Sequence, residues 1–234
     1  MTSGKTPQLL GVAGATLVAA SLVAEAAHAA DGRLLVFVHA AVKQRALQTG
    51  LQAALGGVEV TAVGRIADFE RCLKEGTDAV LAIPPVILAC RLNPALRGVR
   101  AGSTEEKYSI VGVGTTPDPA TIASVGALDV LGRDGTNAFV RDLLGASPRV
   151  ERVSKVEDLL PLLQMQRVDA VLLPLRLLSE IKSTSKLALT ERQLGKAVAL
   201  PAIASVSASG GRVVAAVSKM PPDIARILGV DSWR

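Results

Sequence analysis

The sequence predicts an α/β protein of two lobes, each a mainly parallel sheet flanked by helices. Two stretches read alike: GTDAVLAIPPVIL at 76–88 and RVDAVLLPLRLL at 167–178, in each of which an aspartate opens a short apolar strand ending in proline. The likeness continues upstream in the same order. VEVTAVG (58–64) and PRVERVS (148–154) are strand candidates, and IADFERCLKEG (66–76) and KVEDLLPLLQMQR (155–167) are short amphipathic helices. Asp78 and Asp169 lie 91 residues apart and the preceding strands are separated by about the same interval, which ordered duplication explains better than chance. The first-lobe strands near 33–39, 58–63 and 79–83 read as continuous rather than alternating apolar runs separated by helices, the mark of a parallel sheet covered on both faces. The alternative is two unrelated βα units in a single sheet.

Residues 1–29 stand apart. Lys5, the apolar run LLGVAGATLVAASLV at 9–23 and the A-x-A pattern of Ala27 and Ala29 mark a secretory signal peptide cleaved before Ala30. The run is short for a bilayer span of about twenty residues, and no cysteine follows it as a lipid attachment point. The expected product is soluble and periplasmic or secreted.

RLLVFVHA (33–40) has strand length, and after it Val42, Ala46, Leu47, Leu51 and Leu55 recur at helical spacing until Gly56-Gly57. The first lobe (30–112) thus reads β-α-β-α-β, with strands near 33–39, 58–63 and 79–83. PPVILACRL starts a helix with proline in its first turn. The polar stretch 93–107 reads as loop, and YSIVGVGTT (108–116) as a strand making the first crossing between lobes. The second lobe (113–204) begins with LDVLGRDG (128–135), followed by a helix at 136–145, a strand at 149–153, a helix at 155–166 and a strand at 169–173. Residues 176–197 read as helix and loop and 199–208 as the second crossing. Residues 209–219 read as a strand, either the far arm of a hairpin over Ser209-Gly210-Gly211 or a strand re-entering the first lobe. A short helix begins at the prolines of MPPDIARILG, and 205–234 is expected to return to the first lobe.

Roughly 205 residues beyond the leader suffice for one large domain or two lobes with cores of their own. Hydrophobic residues make up 49% of the chain, so it is globular. Aromatics are only 2%, which removes the stacking platforms that nucleic acid or oligosaccharide binding needs. A net charge of +5 mildly favours an anionic partner, but the basic residues are scattered among acids and solubility explains the balance. Cys72 and Cys90 leave both a disulfide and buried thiols open. With His39 as the one histidine beyond the leader, they make no metal framework.

The signal peptide, RLLVFVHA, VEVTAVGRIADFERCLKEGTDAVLA, YSIVGVG and VERVSKVEDLLPLLQMQRVDAVLLP together resemble the type 2 periplasmic binding proteins, the substrate-binding components of ABC transporters, and more specifically their phosphate/phosphonate-type members. The resemblance implies two α/β lobes joined by two crossing segments, with a hinge near 112–117 and 204–209. It implies a non-catalytic function: capture of a small ligand, an anion among the candidates, for delivery to a membrane permease. No cofactor, no metal and no nucleic acid is expected, and the mature chain is expected to be a monomer without stable membrane insertion. A degenerate version of the fold, serving protein interaction or envelope sensing without a small ligand, is the alternative.

In this fold the ligand lies against loops at the carboxyl ends of the strands, where helix N-termini point into the crevice. Those loops map to His39-Ala40-Ala41, Pro84-Pro85, Arg133-Asp134-Gly135-Thr136-Asn137 and Pro174-Leu175. Gly135 would permit close backbone approach, and Thr136 or Asn137 would offer a hydrogen bond beside free N–H groups; alternatively Asp134 or Thr136 simply caps the helix. His39 would donate to an oxyanion or stand as a partly exposed polar residue, with Lys43 and Arg133 as possible charge partners. Phosphate-type members carry a serine- and threonine-rich loop where this chain offers a single threonine.

Enzyme signatures are weak. Ser179–Lys182 and Ser183–Lys186 have S-x-x-K spacing, which puts hydroxyl and amine on one helical face, but no K-T-G or S-D-N follows. G-x-S-x-G and H-E-x-x-H are absent, and Gly112-Val113-Gly114 lacks the third glycine and the helix of a dinucleotide site.

Overall fold

In the computed structural model, which describes residues 32–40 and 42–234, the run RLLVFVHA forms β1 (Gly32–Phe37) inside a six-stranded sheet. Its side chains divide by parity: Leu34 and Val36 enter one apolar cluster, Leu35 and Phe37 another. Both faces of the strand are therefore buried, which is why its apolar run is unbroken. The expected signal peptide and Ala41 lie outside the described residues. Among those residues no helix is long and apolar enough to cross a membrane.

β2 (Val58–Ala62) and β3 (Ala79–Ala82) flank β1 in parallel, reached through α1 (Gln44–Ala54) and α2 (Ile66–Glu75). Leu47 and Leu51, one turn apart, seat α1 on one face, and Phe69 seats α2 on the other. After α3 (Pro84–Ala89) and β4 (Leu96–Val99) the chain enters a second, five-stranded sheet. That sheet holds β5 (Glu105–Val113), β6 (Ser124–Leu128), β7 (Arg149–Val153), β8 (Ala170–Pro174) and β9 (Leu189–Ala199), with α4 (Gly132–Leu144), α5 (Leu159–Gln164) and α6 (Leu178–Thr184) packed about it. β10 (Ala202–Ser205), α7 (Gly210–Ser218), α8 (Pro222–Ile227) and β11 (Ser232–Trp233) return to the first sheet.

The strand orders are β11-β4-β10-β3-β1-β2 and β7-β6-β8-β5-β9. Each contains the same parallel triad, β2-β1-β3 and β7-β6-β8, extended by antiparallel strands. The two lobes are thus mixed sheets flanked by helices, and the duplicated unit is the triad with its helices. By sheet membership the chain crosses between Val99 and Glu105 and returns between Ala199 and Ala202. The limits drawn from the sequence, 112/113 and 204/205, fall inside β5 and β10.

Several elements differ from expectation. Leu96–Val99 is a strand rather than loop, because its carbonyl and amide groups pair with β10 and β11 although it lies within the polar stretch 93–107. The opening strand of the second triad is Ser124–Leu128, not 128–135, and α4 starts at Gly132 rather than 136. Residues 189–197, read as part of a helix and loop, belong to the long edge strand β9 (Leu189–Ala199); only Leu194 and Val198 of that strand are buried, and their four-residue spacing imitates a helix. Residues 210–218, read as a strand from their valines, form α7, because Val213 and Val217 face the first-lobe core one turn apart. Tertiary packing overrides the β preference of valine here.

Candidate functional site

The parallel triads aim the carboxyl ends of their strands toward one another across the seam between the lobes, and a cavity of about 610 Å³ opens there. Its first-lobe wall consists of His39 and Ala40 after β1, Lys43 and Gln44 at the start of α1, and Gly64, Arg65 and Asp68 after β2. The second-lobe wall is the single stretch 154–158 after β7.

These walls are two copies of one phrase: VGRIAD at 63–68 and VSKVED at 153–158. In both, the cation is the residue that enters a helix. Arg65 precedes α2 with φ −121° and ψ 139°, and Lys155 precedes a 3-10 turn (Val156–Asp158) with φ −128° and ψ 147°. Lys43 does the same for α1. Such positions usually carry Ser, Thr, Asp or Asn, whose oxygens accept from the first N–H groups. A cation cannot accept, and none of the three makes a side-chain cap. Positive side chains therefore add to the positive ends of α1 and α2 at one cavity. The acids partly offset this: Asp68 accepts from Arg65 at 2.7 and 3.1 Å, and that bond holds its carboxyl below the usual range, while Glu157 and Asp158 stand exposed.

Five buried side-chain polar atoms among the described residues lack a hydrogen-bond partner, and two of them, His39 Nε2 and Gln44 Oε1, belong to residues that line this cavity. His39 is 9% exposed, with its ring edge-on to Phe37 at 5.4 Å between centroids. Burial, assisted by the Arg176 guanidinium and opposed by Asp129, lowers its pKa to about 4, so the imidazole is neutral near pH 7. A neutral ring there presents either a donor or an acceptor at Nε2.

Of the residues singled out from sequence, His39 and Ala40 line the cavity. Pro84 and Pro85 form the first turn of α3, the former buried and the latter half-buried, and Pro174 ends β8 buried opposite Tyr108. Thr136 is fully buried and staples its own loop: its hydroxyl accepts from Val130 N and Leu131 N, both at 3.1 Å, and donates to Asp129 at 2.9 Å. A Cβ on Gly135 would stand 2.4 Å from Leu131 Cβ, so this glycine serves packing within α4's first turn. Asp134 is exposed, and Asn137 borders a separate polar depression with Arg133, Arg149 and Arg152. Gln44, Arg65, Asp68 and the 154–158 wall were missed by sequence reasoning; the repeat of VGRIAD as VSKVED was the signal that marks two of the three cations. Cys72 and Cys90 are free thiols, half-buried against the first-lobe cluster. No cluster of potential metal ligands occurs among the described residues.

No family model and no curated protein matches the sequence. Solved structures do match the fold. A Xanthomonas citri protein, XAC2383, bound to chloride is similar with a TM-score of 0.64 at 11% identity, over 86% of this chain and 90% of that one. The periplasmic VFT2 domain of Bordetella pertussis BvgS gives 0.55 at 13% identity, over 84% and 92%. A periplasmic His/Glu/Gln/Arg/opine family-binding protein from Silicibacter pomeroyi, in complex with lysine, gives 0.52 at 14% identity, over 84% and 94%. The chain accordingly has the two-lobed fold of periplasmic binding proteins.

Proposed function

We propose that this protein is an exported, non-catalytic solute-binding protein that captures a small anionic ligand between its lobes for an ABC-type membrane permease. The observation that carries the reading is the interlobe cavity with two orphaned buried polar atoms, His39 Nε2 and Gln44 Oε1, beneath the cationic helix entries Lys43, Arg65 and Lys155. Unpaired buried polar groups cost about 1–3 kcal/mol each, so a ligand that pairs them gains affinity on arrival. Similar folds hold chloride and lysine, which supports a small guest. A periplasmic location accords with the fold. Phosphate or phosphonate is the finer expectation from sequence, and the wall chemistry, with no serine- and threonine-rich loop, favours it no more than a carboxylate.

Thermal-shift screening against phosphate, methylphosphonate, sulfate, acetate and amino acids tests this directly. A rise of several degrees with an anion, lost on Lys155→Ala and Lys43→Ala, is the expected result. A flat response to every compound overturns it in favour of the second reading, a protein-interaction or envelope-sensing domain without a small ligand. One observation favours that reading: the seam beside the cavity is filled, with Val130 from the second lobe buried among Phe37, Phe69 and Ile83 of the first.

A further inference from the structure

Arg176 follows β8 in the second lobe, yet its guanidinium is buried and reaches the first. Nη2 donates to the His39 carbonyl at 2.9 Å, Nη1 pairs with the Glu106 carboxylate, and the Arg176 backbone N–H donates to that carboxylate at 3.2 Å. Both side chains are less than 10% exposed. The stem of Arg176 rests on Gly229, between α8 and β11 of the first lobe, where any Cβ would stand 2.6 Å from Arg176 Cδ. Arg100, just past β4, approaches Glu106 at 3.7 Å. An apolar contact crosses the seam beside it: Val130 sits in the first-lobe cluster, and Phe139 packs on the clusters of both lobes, edge-on to Tyr108 at 5.7 Å.

We propose that Arg176 is a cross-lobe latch that positions the His39 loop and, with Val130 and Phe139, holds the seam shut, so that the cavity is preformed rather than assembled by closure around a guest. Opening the seam would strip the His39 carbonyl of its donor and return two large apolar side chains to water. A planar guanidinium satisfies the carboxylate and the carbonyl together, which a lysine ammonium cannot do in the same geometry. The gap at Gly229 fits its stem. The latch holds whether or not the cavity takes a small ligand, so failure of either proposal leaves the other standing.

Spin labels at Lys74→Cys on α2 and Gln164→Cys on α5, both exposed, report the separation of the lobes in a chain carrying Cys72→Ala and Cys90→Ala. Double electron–electron resonance is expected to give one narrow distance, unchanged by saturating phosphate or arginine. Arg176→Ala is expected to add a longer population, and Arg176→Lys to restore the short one only in part. Where Arg176→Ala does not fold, as judged by circular dichroism, Glu106→Gln serves in its place with the same expectation. Two populations in the unsubstituted chain, a shift on adding either solute, or an unchanged distribution in the latch variant overturns the proposal.

Discussion

Asp78 and Asp169 make the same contact in the two halves of the molecule. Asp78 accepts from Arg33 N at 2.8 Å and returns its own N–H to Arg33 O at 2.9 Å; Asp169 accepts from Ser124 N at 2.8 Å and returns its N–H to Ser124 O at 3.2 Å. Each aspartate, one residue before its own strand, thereby ties the entry of that strand to the beginning of the central strand of its triad, setting the register of β3 on β1 and of β8 on β6. The repeated aspartates are structural, and this accounts for their equal spacing.

Asp78 also accepts from Ser207 at 2.6 Å and from Ser209, which with the Arg33 N–H lowers its pKa to about 2. A carboxyl depressed on folding contributes stability above its unfolded pKa and loses it as pH falls through the folded one. Asp78→Ala is therefore expected to lower the urea midpoint at pH 7, with the difference from the parent shrinking as pH drops from about 4 toward 2. Parallel urea melts across that range check it.

His39 acts with the same sign in the next window up. Its folded pKa of about 4 lies below the ordinary 6.5, so the unfolded chain binds more protons between those values and stability falls as pH drops from 6.5 to 4. The full loss is about 3 kcal/mol. His39→Gln is expected to flatten the stability profile over this interval, measured by thermal melts at constant ionic strength.

Thr136 separates structural from ligand-binding roles. Thr136→Val keeps the shape but leaves Val130 N and Leu131 N without their acceptor, at a cost of about 2 kcal/mol. The expected outcome is a lower melting temperature with an unchanged shift on adding whichever solute stabilises the parent.

Gly210 begins α7 against the loop of Asp78, where a Cβ would stand 2.3 Å from Asp78 O and 2.2 Å from Ser205 Oγ. The carbonyl belongs to backbone and cannot swing aside. Gly210→Ala is expected to cost about 1–3 kcal/mol in denaturant melts, although alanine otherwise favours a helix.

Legibility tracked burial. β1, β3 and β8 were plain because every one of their apolar residues is enclosed, the helices α1 and α4 because their buried positions recur by turns, and α2 because buried Phe69 lies on one face with half-buried Ile66 and Leu73. β4 and β9 were not: β4 is four residues long and interrupted by Arg97 and Gly98, most side chains of β9 face solvent, and backbone pairing makes both of them strands. α7 was misread because valine suits both periods until a partner surface selects one. At the cavity, His39 was legible as a polar residue at a strand end, whereas Gln44, Arg65 and Lys155 looked like ordinary surface.

By itself the amino-acid order determined the class of architecture, the duplication and the strands that no face leaves open to water, because hydrophobic periodicity acts locally and survives in one dimension. The tertiary structure alone decided how the halves meet: that the Arg176 guanidinium answers the His39 carbonyl across the seam, that Val130 fills the space beside it, and that three basic helix entries share one cavity. Those relationships join residues far apart in the chain, and only the packing of the two sheets brings them within bonding distance.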